Sequence, residues 1–130
     1  MKQRKNKELS SKDLSELIAK GMSEKKGEDI TILDLRQVKN SITDFFVICS
    51  GNSDTQIDAL ANSVEDEVYK ISKTDPWQKE GKANGEWILI DYVDVVAHIF
   101  NKERRKHYDL EELWGDAVVT HFEDSVLLKS

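Results

Sequence analysis

The chain has 130 residues and one cysteine, and its 25 acids against 19 lysines and arginines give a formal net charge of -6 at pH 7. That length suits a single domain with its own core. The acidic balance excludes a body built mainly to grip nucleic acid, because counterion release needs clustered Lys and Arg. A lone Cys49 inside an apolar run allows no intrachain disulfide and fits a packing role in a reduced cytosolic compartment.

The N-terminus, MKQRKNKELSSKDL, carries Lys2, Arg4, Lys5 and Lys7 but no apolar signal core. No run approaches the roughly 20 apolar residues of a membrane span. A soluble, cytoplasmic protein without a membrane partner is expected, with residues 1–8 as a basic arm, 9–114 as one α/β domain and 115–130 as a C-terminal tail.

Helix and strand periods alternate along the chain without repeats or low-complexity segments. Leu14, Leu17, Ile18 and Met22 keep helical spacing behind Ser10, a cap candidate with Asp13 three residues on, and Gly27 offers a stop. Ile30 to Leu35 reads as a strand, RQVKNSITD as a polar connection, and Phe45 to Cys49 as a strand buried on both faces. In SGNSDTQ, Ser53 begins a second helix with Gln56 in capping-box position; Ile57, Leu60, Ala61, Val64, Val68 and Ile71 keep its period until Asp75-Pro76 closes it. WQKEG reads as an edge strand.

After Ala83-Asn84-Gly85, the stretch WILIDYVDVVAHIF reads as a hairpin. With Asp91 to Asp94 as its connection, Ile90 opposes Val95, Leu89 opposes Val96, Ile88 opposes Ala97 and Trp87 opposes His98. One face, with Ile88, Ile90, Val95, Ala97 and Ile99, is core. The other holds Trp87, Leu89, Val96, His98 and Phe100, with the two acids at its tip; such a face is either covered or offered to a partner. Tyr92-Val93 lacks the glycine or asparagine of a primed turn, which favours a looser connection. NKERRKHY then reads as a short basic helix containing Arg104 and Arg105. A second helix start at Asp109 brings Leu110, Leu113 and Trp114 onto the sheet, and Val118, Val119, Phe122 and Val126 in the tail follow an imperfect helical spacing.

Candidate chemistry is sparse. Asp91, Asp94 and His98 could suggest a metal or acid/base site, but this register puts His98 about 13 Å along a strand from the acids, and two carboxylates alone are too few oxygen ligands for an ion. Turn acids and a half-buried sheet histidine are the simpler reading. Cys49 in the middle of a strand reads as inert. Gly51-Asn52-Ser53 before a helix could offer N–H groups to an anion, yet no Asp-x-Asp pair follows to hold magnesium. The chain has no GxxxxGK[ST], CxxC or HExxH. No catalytic residue, metal or cofactor is therefore expected.

Several segments together resemble the ribosomal silencing factor family, also called RsfS or Iojap-related. They are NSITDFFVICSGNS (40–53), Glu80-Gly81, WILIDYVDVVAHIF (87–100) and ERRKHYDLEELW (103–114), in order across Leu14 to Trp114. Two departures are that Val93 stands where many members have glycine, and that SGNSDTQ replaces a commoner threonine-rich version. The resemblance implies an α/β fold with a mixed sheet and flanking helices, related to nucleotidyltransferases but without their catalytic acids. It implies binding to the large ribosomal subunit through its protein fourteen, blocking small-subunit joining and repressing translation when nutrients are short. Organellar relatives are associated with large-subunit assembly. Trp87, Asp91, Tyr92, Asp94 and His98, bordered by Arg104 and Arg105, are then the expected partner-binding residues, and the same exposed face suits a homodimer when the ribosome is absent. The competing readings are a large-subunit assembly factor, a nucleotidyltransferase-like enzyme, which would bind nucleotide and magnesium, and an RNA module using Lys102 to Lys106, which would bind with steep salt dependence.

Overall fold

The computed structural model describes residues 9–81, 86–108 and 117–122. Its elements in chain order are α1 (Ser11–Glu24), β1 (Glu28–Asp34), β2 (Phe45–Gly51), α2 (Asp54–Ser72), β3 (Gln78–Gly81), β4 (Trp87–Asp91), β5 (Val95–Asn101), α3 (Lys102–Tyr108) and β6 (Val118–His121). They form a six-stranded sheet ordered β3-β4-β5-β2-β1-β6. Only the central β2–β5 pair is parallel, running from Phe45 beside Val95 to Gly51 beside Asn101, and every other pairing is antiparallel.

The caps explain where the two long helices begin. Ser10 Oγ accepts from the Asp13 amide at 3.0 Å, and Ser53 Oγ accepts from the Gln56 amide at 3.1 Å. Each satisfies one N–H that a helix start leaves without an intrahelical partner. Gln56 Oε1 returns to the Asn52 amide at 2.7 Å, and its Nε2 donates to the Lys25 and Lys26 carbonyls, so one side chain ties α2 to the end of α1. α2 ends as Lys73 turns left-handed, φ 58°, before Pro76 is reached.

Both helices lie over one face of the sheet. Ile18, Met22, Leu60, Val64 and Val68 meet Val47, Cys49, Ile90, Val95, Ala97 and Ile99 in one buried cluster. The opposite face carries a smaller cluster of Leu33, Leu35, Ile48 and Phe100, with Phe46, Trp87, Val38 and Ala117 packed against it. A parallel pair buried on both faces reads as the nearly continuous apolar run seen in the sequence.

α1 and α2 approach closely at Gly21. A β-carbon there would sit 2.9 Å from Val64 Cα and 3.0 Å from the Ser63 carbonyl oxygen, and Ser63 Oγ donates to the Gly21 carbonyl at 2.7 Å. The neighbours are helix backbone and cannot step aside as a side-chain tip would.

Four expectations change. The hairpin register is shifted by two residues: Ile90 faces Ala97, Leu89 faces His98, Ile88 faces Ile99 and Trp87 faces Phe100. Asp91 is thus the last residue of β4, opposite Val96, and not part of the connection. An even shift leaves each side chain on its own face, so the division into two faces stands. Second, Lys26, φ 63°, makes the left-handed turn after α1; Gly27 is needed instead for space, since a β-carbon there would lie 3.1 Å from Cys49 Sγ and Leu60 Cδ2. Third, 118–121 in the tail is a strand, with Thr31 beside His121 and Asp34 beside Val118. Fourth, Ile71 is exposed. The second helix start, 109–114, lies outside the described residues.

Gly21→Ala should destabilise the fold by about 1–3 kcal/mol, the usual range for overpacking. Urea unfolding should show a lower midpoint with an unchanged slope; an unchanged midpoint would contradict this packing.

Candidate functional site

The β4–β5 connection is built by its neighbours. The Tyr92 amide donates to the Val95 carbonyl at 2.9 Å and the Asp94 amide to the Tyr92 carbonyl at 3.0 Å, with Val93 between them at φ 78°. That i to i+2 bond with a positive φ is the rare, strained form of three-residue turn, and a β-branched residue is poorly suited to it. Two further contacts hold it. Asp91 Oδ1 accepts from the Val93 amide at 2.7 Å, and Thr43 Oγ1 donates to the Val93 carbonyl at 3.0 Å. The Asp94 carbonyl also accepts from the Asp44 and Phe45 amides. The turn acids therefore have structural tasks: Asp91 through its carboxylate and Asp94 through its backbone. Tyr92 is buried in the main core cluster, with no hydrogen-bond partner for its hydroxyl, and burial, helped by Glu65 and Asp75, pushes its pKa up.

His98 sits on the opposite face from Tyr92, only 5 % exposed, and is therefore buried where half-burial was expected. Phe46 meets it edge-on at 4.6 Å, while Trp87 and Phe100 lie nearly parallel to it at 5.7 and 6.1 Å. Trp87 Nε1 donates to His98 Nδ1 at 3.2 Å. An indole nitrogen can only donate, so the neutral ring carries its proton on Nε2, a buried atom without a hydrogen-bond partner. Burial alone lowers the His98 pKa to about 4. The corrected register puts Asp91 within two strand residues of His98, closer than expected. Even so, no group of three His, Cys, Asp or Glu residues among those described could hold a metal ion. Cys49 is buried and its thiol is pushed up to about 12 by desolvation, which suits the inert reading.

α3 follows β5 without a break, and its described cations are engaged. Lys102 Nζ pairs with Glu28 at 3.0 Å and Arg104 Nε with Glu86 at 3.3 Å. Arg105 donates to the Asp29 carbonyl at 2.7 Å, to Ser50 Oγ at 3.1 Å and to Thr31 Oγ1 at 3.2 Å. These acceptors surround a β-bulge, where β1 gains a residue between Glu28 and Thr31 and Asp29 takes φ 52°. A planar guanidinium suits such a divergent set of acceptors. The Asn52 amide and the cap of α2 are likewise occupied by Gln56 and Ser53 side chains.

The seven expected partner-binding residues are thus not one cluster. Asp91, Tyr92 and Asp94 stand at the turn end of the hairpin; Trp87, Arg104 and Arg105 stand at the other, with His98 between. Sequence reasoning passed over Ile42 and Trp77, which are exposed at the turn end. The only signal available was an isoleucine within a polar connection and a tryptophan following a proline.

Fold and site together describe a mixed α/β domain whose polar groups mostly hold loops in place, a domain that presents a surface. The chain belongs to the ribosomal silencing factor family, whose model, described as "Ribosomal silencing factor during starvation", matches residues 8–129. Ribosomal silencing factor RsfS of Bacillus subtilis is 37% identical over 109 residues, 84% of this chain and 91% of that one. A crystal structure of a Chromobacterium violaceum protein superposes with a TM-score of 0.76 at 31% identity, covering 94% of this chain and 100% of the other. The mouse protein named "Mitochondrial assembly of ribosomal large subunit protein 1" is 39% identical over 75 residues, 55% of this chain and 32% of its own length. Among the described residues, no helix is long and apolar enough to cross a membrane.

Two measurements check the site's physics. Because the folded His98 resists protonation until about pH 4 while the unfolded one titrates near 6.5, its contribution is present above 6.5 and lost as pH falls towards 4. The expected slope is about 1.4 kcal/mol per pH unit. Urea unfolding at pH 5 and pH 7 should show that difference shrinking in His98→Phe; an equal slope in both proteins would contradict it. Val93→Gly should raise stability by on the order of 1 kcal/mol through relief of strain, whereas Val93→Ala should not.

Proposed function

We propose that this chain is a ribosomal silencing factor that binds the large ribosomal subunit through its protein fourteen and sterically blocks the small subunit from joining, lowering translation when nutrients are limited. The observation that carries this reading is the family match, which spans nearly the whole chain. The site supports it, since its buried and paired polar groups serve as a scaffold for binding. The action is stoichiometric and needs no cofactor or catalytic step. Ribosomal proteins are generally basic, so the charge of -6 favours encounter. Asp91, Asp94, Trp87, Arg104 and Arg105 belong to the contact or its border, with Tyr92 and His98 shaping it from inside. Free protein is cytoplasmic and can pair with a second copy.

The name of the mouse relative favours a second reading, a role in large-subunit assembly. The two readings differ in what the protein is found on: mature large subunits for silencing, incomplete precursors for assembly.

Sucrose-gradient co-sedimentation with separated subunits tests the proposal. The protein should travel with large subunits and reduce their joining to small ones. Association with small subunits alone, or binding that leaves joining untouched, would refute silencing.

A further inference from the structure

β6 closes one edge of the sheet but buries little of itself. All of its residues, Val118–His121, are exposed, with Val118 at 58% and Val119 at 42%. Packing falls to its two flanks. Ala117 lies against the Leu33, Leu35, Ile48 and Phe100 cluster, and Phe122 against the main core on the other face of the sheet. The neighbouring β1 is the opposite case, since Ile30, Thr31, Ile32 and Leu33 are all buried. A strand with so few buried side chains belongs to the low end of local stability, and one buried on both faces to the high end.

β1 keeps its shape without help from β6. Two backbone bonds fix how its amides alternate: the Leu35 amide donates to the Asp44 carbonyl at 2.8 Å, on the β2 side, and the Phe122 amide donates to the Ile30 carbonyl at 2.9 Å, on the β6 side. By antiparallel alternation, Thr31 and Leu33 turn their amides to β2, while Ile32 and Asp34 turn theirs to β6. The bulge at the start of β1 is likewise held by groups outside β6. Arg105 donates to the Asp29 carbonyl at 2.7 Å and to Thr31 Oγ1 at 3.2 Å, and Thr31 Oγ1 donates to the Asp29 carbonyl at 3.0 Å. His121 Nδ1 reaches the same hydroxyl only at 3.5 Å, the limit of hydrogen bonding. Departure of β6 therefore leaves β1 in place with one row of backbone groups bare. That row belongs to the segment ITIL, residues 30–33, which is apolar, β-branched and free of the lysine or proline that blunts natural sheet edges.

We propose that β6 is a separable strap: it lifts from β1 without unfolding of the domain, and while seated it shields the edge at residues 30–33 from pairing with other chains. The ladder between Ile32 and Thr120 is its clasp. This device is independent of the function proposed above.

Amide hydrogen exchange of the full chain, followed by NMR at increasing urea, tests the strap. Ile32 and Asp34 should exchange about tenfold or more faster than Thr31 and Leu33 in the same strand, and with little dependence on urea, because local opening exposes little surface. Equal rates in the two sets would mean that β6 leaves only on global unfolding, and would overturn the proposal. Thr120→Pro removes the amide that faces Ile32, whereas Thr120→Ala keeps it. The proline variant should lose protection at Ile32 and Asp34 while protection at Leu33 and the urea midpoint stay close to wild type; the alanine variant should behave as wild type throughout. In sedimentation equilibrium the average mass of the proline variant should rise more steeply with protein concentration than that of wild type. A proline variant that unfolds as a whole overturns the separability of the strap, and a folded one with wild-type mass at every concentration overturns its shielding role.

Discussion

The structure depends on one constraint, the parallel pairing of β2 and β5 at the centre of the sheet. Two parallel neighbours cannot be joined by a tight turn. Here the chain between them contains α2, β3 and β4, and α2 returns across the face it covers. Both strands are buried on both faces, so helices must cover one side and the Phe46–His98–Phe100–Trp87 ring cluster must fill the other. The same pairing brings two loop backbones side by side, where Thr43, Asp44 and Asp94 join them with hydrogen bonds. Core, hairpin turn and exposed apolar end follow from one arrangement.

The polar residues that looked most chemical serve that arrangement. Asp91 accepts from the turn, and Arg105 satisfies carbonyls and hydroxyls around the β1 bulge. His98 accepts one hydrogen bond from Trp87 inside an aromatic enclosure. Each gives a loop or strand end one geometry. Side-chain hydrogen bonds of this kind fix the geometry of the surface that the strand ends present.

Much of the fold was legible locally. The Ser10 and Ser53 caps are short-range hydrogen bonds encoded within four residues, and the two faces of β4 and β5 follow from strict alternation. The hairpin register was not legible. Val93 accepts a positive φ that its residue type disfavours because Thr43 and Asp91 hold it from outside, and no local rule sees Thr43. β6 was read with helical spacing because its strand character comes from a partner far away: Thr31 and His121 are paired across 90 residues. Gly27 was read as a helix stop, whereas its contacts with Cys49 and Leu60 exist only after the helices pack.

By itself the sequence determined an acidic chain of mixed α/β structure, the places where its two long helices start, most of the side chains that face inward, and the likeness to ribosomal silencing factors. These are properties of periodicity, capping and composition, which act over a few residues or over the whole chain at once. Tertiary structure alone decided that His98 is enclosed and that Asp91 belongs to β4, two residues nearer to it than local reading placed it. It also decided that Ile42 and Trp77, separated by 34 other residues, stand at one end of the sheet. Exposure and proximity depend on which strands pair, and that is settled only when the central parallel pair has formed.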